Sequence, residues 1–218
     1  FSDSYKTSRS KYNHNLKNLI SLDIVKDNLS EKFGQLDLDF IINLSTPNSD
    51  ASWNEHYEHN DSGVKNLISF CNKKKIVLIH FSSVVVDENP DTTHSPNYRK
   101  GKLLSEKSII ELLDAGLILR PHLIVTPDRP YSLKLNILLY FINILLYFKV
   151  FKFFIPTNIL NYKLSRPINH SDITKVLKNI ILSSELFNLN KKEQFDLKGP
   201  SQQTILEIIE RIRNKDYI

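Results

Sequence analysis

The chain has 218 residues, of which 41% are hydrophobic and 24% charged, with a formal net charge of +5. That is the composition of an ordinary globular chain, long enough for one large domain with a buried core. A single cysteine, Cys71, excludes an internal disulfide, disfavours a metal–thiolate cluster and fits a reducing, cytoplasmic setting.

The positive charge is mild. Its one dense run, Lys73-Lys74-Lys75, follows a helical stretch, where cations suit a helix C-terminus. No aromatic residues interleave with these lysines, so nothing suggests a base-stacking platform, and no nucleic-acid partner is expected. There is no methionine. The five glycines, Gly34, Gly63, Gly101, Gly116 and Gly199, are never close enough to form a phosphate-cradling loop. No signal peptide opens the sequence.

Residues 1–17 are polar and lack a clear period. "NLISLD" (18–23) reads as a short strand, and "NLSEKF" (28–33) as a short helix capped by Asn28 or Asp27. "LDFIINLS" (38–45) is a continuous apolar run, the pattern of a strand buried on both faces. Residues 52–74 read as helical over most of their length, and "KIVLIHFSS" (75–83) as the next core strand. A polar loop (87–96) leads into a helix over 97–116 closed by Gly116. "LILRP" (117–121) is a third core strand. Strands alternating with helices across short connections predict a parallel sheet covered on both faces.

Beyond Pro127 the pattern changes. Residues 135–148, "LNILLYFINILLYF", are uncharged and contain a seven-residue repeat. The run falls short of the ~20 residues that span a bilayer, so a helix packed in the protein is expected rather than one in lipid. An irregular stretch to Arg166 follows, then a helix near 171–185, a strand "QFDLKG" (194–199) and a final helix over 201–214.

Ligands of open parallel sheets bind outside the carboxyl ends of the strands. Three such ends stand out: Leu44-Ser45-Thr46, Ser82-Ser83 and Pro121-His122. Tyr98 and Lys102 lie near the start of the helix after the second, and a spacing of four puts them on one helix face. Among nine tyrosines in a lysine-rich chain, about one Tyr-x-x-x-Lys match is expected by chance, so the pair gains meaning only from its context. A phenol has a pKa of about 10, and a neighbouring ammonium is expected to lower it. With a serine hydroxyl on the adjacent strand end, the set could relay a proton to a carbonyl or alcohol.

These segments, in order, resemble the extended and atypical short-chain dehydrogenases/reductases, the NAD-dependent epimerase/dehydratase family. "LDIVKD" (22–27) is similar to the segment after the third family strand, where the resemblance implies adenine contacts from Asp23 and Ile24. "DFIINLST" resembles the fourth strand with its cofactor-facing turn at Leu44, Ser45 and Thr46. "NDSGVKNLI" (60–68) is similar to the Asn-x-x-Gly-x-x-Asn-Leu-Leu helix, with Asn60 as the structural asparagine. "IHFSSVVV" (79–86) resembles the catalytic-serine strand, with Ser83 in the catalytic position and Ser82 beside it. "NYRKGKLLSE" resembles the Tyr-x-x-x-Lys helix with its later glutamate, Glu106. "LRPHLIVTP" (119–127) resembles the Arg-Pro segment, with Pro121 and His122 facing the cofactor, and "RPINHSDI" (166–173) resembles the stretch whose aspartate opens a late helix.

The family pattern opens with a strand, a glycine-rich turn and a helix, which this sequence does not contain. Its Tyr-Gly after the sixth piece is replaced by Val125-Thr126. The resemblance therefore implies an α/β Rossmann-type parallel sheet, N-terminally truncated, as the C-terminal part of a longer protein. It implies a partial cofactor-binding domain over 1–127 and a small C-terminal substrate-binding part over 128–218 with returning Rossmann elements. The implied cofactor is NAD or NADP, and the implied activity is oxidoreduction, epimerisation or dehydration of a nucleotide-activated sugar or similar carbonyl or alcohol. Ser83, Tyr98 and Lys102 would be catalytic, with Tyr98 and Lys102 also touching the cofactor. A non-catalytic cofactor-binding scaffold or sensor is the rival. The location implied is cytoplasmic, no membrane contact is expected, and a homodimer is compatible.

Other constellations are weaker. Glu55, His56, Glu58 and His59 suggest a metal site, but a solvated polar helix face is the expectation, and no metal is expected. "HFSSV" lacks the Gly-x-Ser-x-Gly elbow, which disfavours a serine hydrolase. His122 and His170 are expected as partly buried, hydrogen-bonded histidines.

Overall fold

A computed structural model of the chain describes residues 6–8, 19–91, 95–122, 124–125, 168–182 and 192–199. The apolar run 135–148 and the expected final helix 201–214 lie outside these residues. Two compact units divide the chain: Phe1–Arg120 with Ser184–Phe195, and Pro121–Ser183 with Asp196–Ile218.

The first unit opens with two short parallel strands, β1 (Lys6–Ser8) and β2 (Leu19–Ser21). The polar pattern of 1–17 gave no sign of β1. Helix α1 (Leu29–Phe33) follows, with the Asn28 side chain accepting from the Ser30 amide as its N-cap. Then come β3 (Phe40–Asn43), α2 (Trp53–Tyr57), a π-helical segment (Glu58–Gly63) and α3 (Val64–Lys74). Ser52 and Glu55 form a capping box at the start of α2. Lys75 ends α3 in the left-handed region at φ 57°.

Strand β4 (Val77–Phe81), a 3₁₀ turn (Val84–Asp87), α4 (Pro96–Leu112) and β5 (Gly116–Pro121) complete the centre of the unit. The sheet order is β3-β4-β5-β8, where β8 is Lys192–Leu197, and β3, β4 and β5 run parallel. The expected strand–helix alternation is therefore present as an α/β, Rossmann-type parallel sheet. Its pair β1-β2 is separate from the four-stranded sheet among the described residues.

The core explains the apolar runs. Leu78 and Ile118, on one face of the sheet, join Val64, Leu67, Ile68, Phe70, Cys71 and Ile109 in a single buried cluster. Ile79, Leu117 and Leu119 are buried as well, so β4 and β5 carry apolar side chains in both directions, as strands of a covered parallel sheet must. Cys71 lies inside that cluster, and burial pushes its thiol up to about 12, so it is an inert core thiol. Asn66 donates to the carbonyls of Ile24 and Asp27 and so ties the turn before α1 to α3.

Gly116 does not close α4. The helix ends at Leu112, whose carbonyl accepts from the Asn72 side chain (2.8 Å), while the Asp114 amide donates to Asn72 Oδ1 (3.0 Å). A side chain from α3 thus satisfies the end of α4, and Gly116 becomes the first residue of β5. It is needed there for close approach: a Cβ would lie 2.5 Å from the Leu78 carbonyl oxygen and 2.5 Å from Leu113 Cδ2.

The second unit contains a parallel pair, β6 (Ile124–Val125) with β7 (Ile168–Asn169), and helix α5 (His170–Leu182). Ile168, Ile173 and Leu197 are its buried aliphatic residues among those described. Asp172 stands in the first turn of α5, where a carboxylate suits the helix dipole. No helix among the described residues is long and apolar enough to cross a membrane.

Gly116→Ala should cost about 1–3 kcal/mol of stability, because the added methyl meets backbone that cannot rotate away. Urea denaturation followed by circular dichroism checks this. A variant as stable as the parent would show that β4 and β5 can separate at no cost.

Candidate functional site

The site is built where α4 crosses the carboxyl ends of β3 and β4. Pro96 at the first turn starts α4, since its missing N–H has no intrahelical partner to lose. The helix buries a polar face against the sheet: Gly101, Lys102, Ser105, Glu106 and Ser108, with Ile109.

Lys102 is almost fully buried, and its ammonium donates to the Phe81 carbonyl at 2.7 Å. Burial pushes its pKa down to about 8 against the opposing pull of Glu106. It remains largely protonated at neutral pH. The same Nζ stands 5.7 Å from the centroid of the Tyr98 ring, within cation–π range. On its other side the Tyr98 ring meets His56 edge-on, at 5.9 Å and 76°. Ser83, just past the end of β4, caps the 3₁₀ turn by accepting from the Val85 amide, and its hydroxyl lies close enough to the Tyr98 phenol to favour the phenolate. The structure therefore brings Ser83, Tyr98 and Lys102 together.

The direction of the phenol's shift is opposite to the expectation. Burial raises the Tyr98 pKa above its usual value, and the nearby Ser83 hydroxyl only partly opposes that. Desolvation sets the direction: Lys102 Nζ faces the ring and gives its hydrogen bond to the Phe81 carbonyl, not to the phenol oxygen. Tyr98 is a neutral proton donor at neutral pH.

The π-helical segment fixes the other wall. Asn60 is fully buried in it, and its Nδ2 donates to the His56 carbonyl at 3.0 Å. The helix widens by one residue there and carries Asn60 against Gly101 of α4. A Cβ at Gly101 would lie 2.7 Å from Asn60 Nδ2 and 3.3 Å from His56 Cβ. His56 and His59 are buried, which corrects the expected solvated face: packing under α4 removes them from water. Burial holds His56 below the usual histidine range. Among the described residues no group of three or more His, Cys, Asp or Glu could hold a metal.

The remaining candidates divide. Leu44 and Thr46 are exposed just beyond β3, and Ser45 is half-buried with its amide and hydroxyl on Asn43 Oδ1. Ser82 is buried, and its Oγ has no hydrogen-bond partner. That free hydroxyl beside Ser83 suits a polar ligand group, so the residues present fit the nicotinamide–ribose end of a dinucleotide. Asp23 instead closes its own turn, accepting from the Val25 amide at 3.0 Å. Ile24 belongs to the apolar core and packs under Gly63. In the second unit Pro121 is buried, and the His122 amide donates to the Leu197 carbonyl at 2.9 Å. His170 is exposed at the start of α5.

Sequence reasoning missed Asn43, His80 and Ser105, all buried. Their signal was faint: single polar residues in the apolar runs "FIIN" and "VLIHF", and one of the two serines on α4. Glu106 was noted only as part of a motif. In the fold it holds Arg120 in a two-pronged pair, Nε to Oε1 at 2.8 Å and NH2 to Oε2 at 2.5 Å, and Asp87 joins from outside.

No family model and no curated protein sequence matches this chain. Solved structures do. The Bordetella bronchiseptica enzyme WbmG, in complex with NAD and UDP, is similar at a TM-score of 0.66 and 14% identity, over 92% of this chain and 64% of that one. The UDP-N-acetylglucosamine 4-epimerase from Bacillus cereus gives 0.65 and 16%, over 95% and 73%. A hypothetical dTDP-4-dehydrorhamnose reductase from Sulfolobus tokodaii gives 0.59 and 16%, over 93% and 71%. The chain spans less than two thirds of WbmG. At these identities the shared property is the fold.

Lys102→Met should leave the folded state as stable as the parent or more so, because it removes an ammonium whose burial is unfavourable. The sign of the pH dependence checks the cause. Lys102 titrates near 8 folded and near 10.5 unfolded, so the unfolded chain binds more protons between these values and stability rises with pH across that window. Urea midpoints measured at about pH 7 and about pH 10 should show that rise in the parent and a smaller one in the variant.

Proposed function

We propose that the chain works as an NAD(P)-dependent oxidoreductase, epimerase or dehydratase on a nucleotide-activated sugar or a similar carbonyl or alcohol, through Ser83, Tyr98 and Lys102. The supporting observation is the meeting of these three side chains at the carboxyl end of β4: the Ser83 hydroxyl beside the Tyr98 phenol, and the Lys102 ammonium 5.7 Å from its ring centroid. The solved structures named above carry NAD and UDP or are named for nucleotide-sugar epimerisation and reduction, which supports the substrate class.

A bound nicotinamide would supply the hydride or take it. The chain's own residues do the rest. Ser83 holds the substrate oxygen by a hydrogen bond. The neutral Tyr98 hydroxyl gives its proton to that oxygen as a carbonyl becomes an alcohol, and in the reverse direction takes one back. Its raised pKa keeps the hydroxyl protonated at neutral pH, the form that reduction of a carbonyl draws on. Lys102, still charged at neutral pH, holds a ribose hydroxyl and steadies the negative charge that forms on Tyr98. Ser82 offers its free hydroxyl to the same ligand, and Leu44, Ser45 and Thr46 form the rim on the β3 side. Residues 128–218 would contribute the substrate-binding part, with Pro121 and His122 at its approach. The buried single cysteine suits a cytoplasmic setting, and a homodimer is compatible with the fold.

A second reading, a cofactor-binding protein without turnover, is favoured by one observation: the glycines never cluster into a turn that would take a pyrophosphate.

Tyr98→Phe keeps the ring between His56 and Lys102 and removes only the proton. It should bind NADH or NADPH as the parent does and lose about 10²- to 10⁴-fold in turnover. Fluorescence titration and steady-state reduction of UDP- and dTDP-linked keto-sugars measure both. Near-parental turnover would remove Tyr98 from the mechanism. Cofactor binding with no turnover by the parent would favour the second reading.

A further inference from the structure

We propose that His80 and Ser105 are positioning residues that fix the Lys102 turn of α4, with His80 held as the neutral tautomer protonated on Nε2. The chain of contacts allows only one assignment of protons. The Ser45 amide donates to Asn43 Oδ1 at 3.1 Å, and the Ser45 hydroxyl reaches the same oxygen at 2.5 Å. A backbone N–H can only donate, so the Asn43 amide has its oxygen towards Ser45 and its nitrogen towards His80. Asn43 Nδ2 stands 3.0 Å from His80 Nδ1, which must therefore accept.

At the far end the Ser105 hydroxyl donates to the Lys102 carbonyl at 2.8 Å. A carbonyl can only accept, so that proton is committed, and the Ser105 oxygen is left to accept from His80 Nε2 at 3.1 Å. Every link runs the same way, from Ser45 at the mouth of β3 to the backbone of Lys102. A second proton on His80 would face the Asn43 NH₂ donor to donor.

The surroundings enforce that state. Asn43, His80, Ser105 and Lys102 are all buried, and Asn43 and His80 are cross-strand partners in the parallel register of β3 and β4. The two charged or titratable neighbours of His80, Lys102 and His59, both disfavour a cation on it. A serine bonding back to its own helix carbonyl is common and by itself fixes little. Here the hydroxyl is also anchored to the sheet, so the turn of α4 that carries Lys102 cannot slide along β4 without breaking the link. Two points then set the Lys102 position: its ammonium on the Phe81 carbonyl and its carbonyl on Ser105. The value of this for catalysis rests on the role given to Lys102 above, whereas the placement itself does not.

Histidine-labelled full chain, read by long-range proton–nitrogen NMR between about pH 5 and pH 8, should show a resonance pair of the neutral Nε2–H form throughout, assigned by its loss in a His80 variant. A charged ring or an Nδ1–H form would overturn the proposal. Three variants test the positioning. His80→Gln can still accept from Asn43 and donate to Ser105, His80→Leu can do neither, and Ser105→Ala cuts the last link at little cost to the helix. Thermal unfolding confirms that each folds. The titration midpoint of Lys102, followed at its side-chain carbon, is about 8 in the parent. It should rise in the Leu and Ala variants as water reaches the loosened turn, and return in the Gln variant. NADH binding should weaken about fivefold in the same two variants, the worth of one net hydrogen bond, and recover in the third. Folded Leu and Ala variants with parental values would refute the proposal, as would a Gln variant that behaves like Leu. If the parent binds neither NADH nor NADPH, the cofactor reading fails, and the tautomer with the Lys102 midpoint still decides this one.

Discussion

The arrangement turns on one buried ammonium. Lys102 lies under α4 with its Nζ 2.7 Å from the Phe81 carbonyl. An unpaired charge there would cost several kcal/mol, so the protein must either neutralise it or supply donors and acceptors around it. It does both in part. The pKa falls to about 8, and the Phe81 oxygen and the Glu106 carboxylate supply the partial and full negative charge nearby. Glu106 in turn is buried and held by Arg120, which is anchored by Asp87 at the surface. The group that would position a cofactor is thus paid for by a chain of charges running outward to water.

Steric fit makes that burial possible. Helix α4 can bring Lys102 against the end of β4 only if its neighbouring residue lets it approach the π-helical segment. Gly101 does so, because any side chain would enter the space of Asn60 and His56. The π-helical widening carries Asn60 and His59 inward, where an ordinary helix of the same length would place the next side chains elsewhere on its face. The result is a helix pair with a polar, close-packed seam in place of an apolar stripe. Such seams are costly unless their hydrogen bonds are complete: the chain from Ser45 to the Lys102 carbonyl satisfies one part of this one, while Asn60 Oδ1 and His56 Nε2 are buried without a hydrogen-bond partner.

The same seam decides the chemistry open to Tyr98. A ring packed against His56 and Lys102 loses water, and lost water raises a phenol's pKa. The hydroxyl therefore keeps its proton at neutral pH.

By itself the sequence determined the alternation of strands and helices, because that follows from local period. The runs "VLIHF" and "GLIL" are apolar in both directions, and a strand covered on both faces buries most of them, while the apolar residues of "FIIN" in β3 are half-buried. It also offered Ser83, Tyr98 and Lys102, not through the spacing of four alone, which chance would supply, but through the order of segments in which that spacing and the strand-end serine stand. What it could not show was anything set by packing between elements. His56 and His59 look like a polar surface until α4 covers them, Gly116 looks like a helix stop until β4 lies against it, and Ile24 looks like a ligand contact until Gly63 makes room for it in the core. The sign of the Tyr98 shift, the tautomer of His80 and the partner of Ser105 were decided only by the tertiary structure. Each depends on distances of about 3 Å between residues tens of positions apart, and on how much water the fold leaves between them.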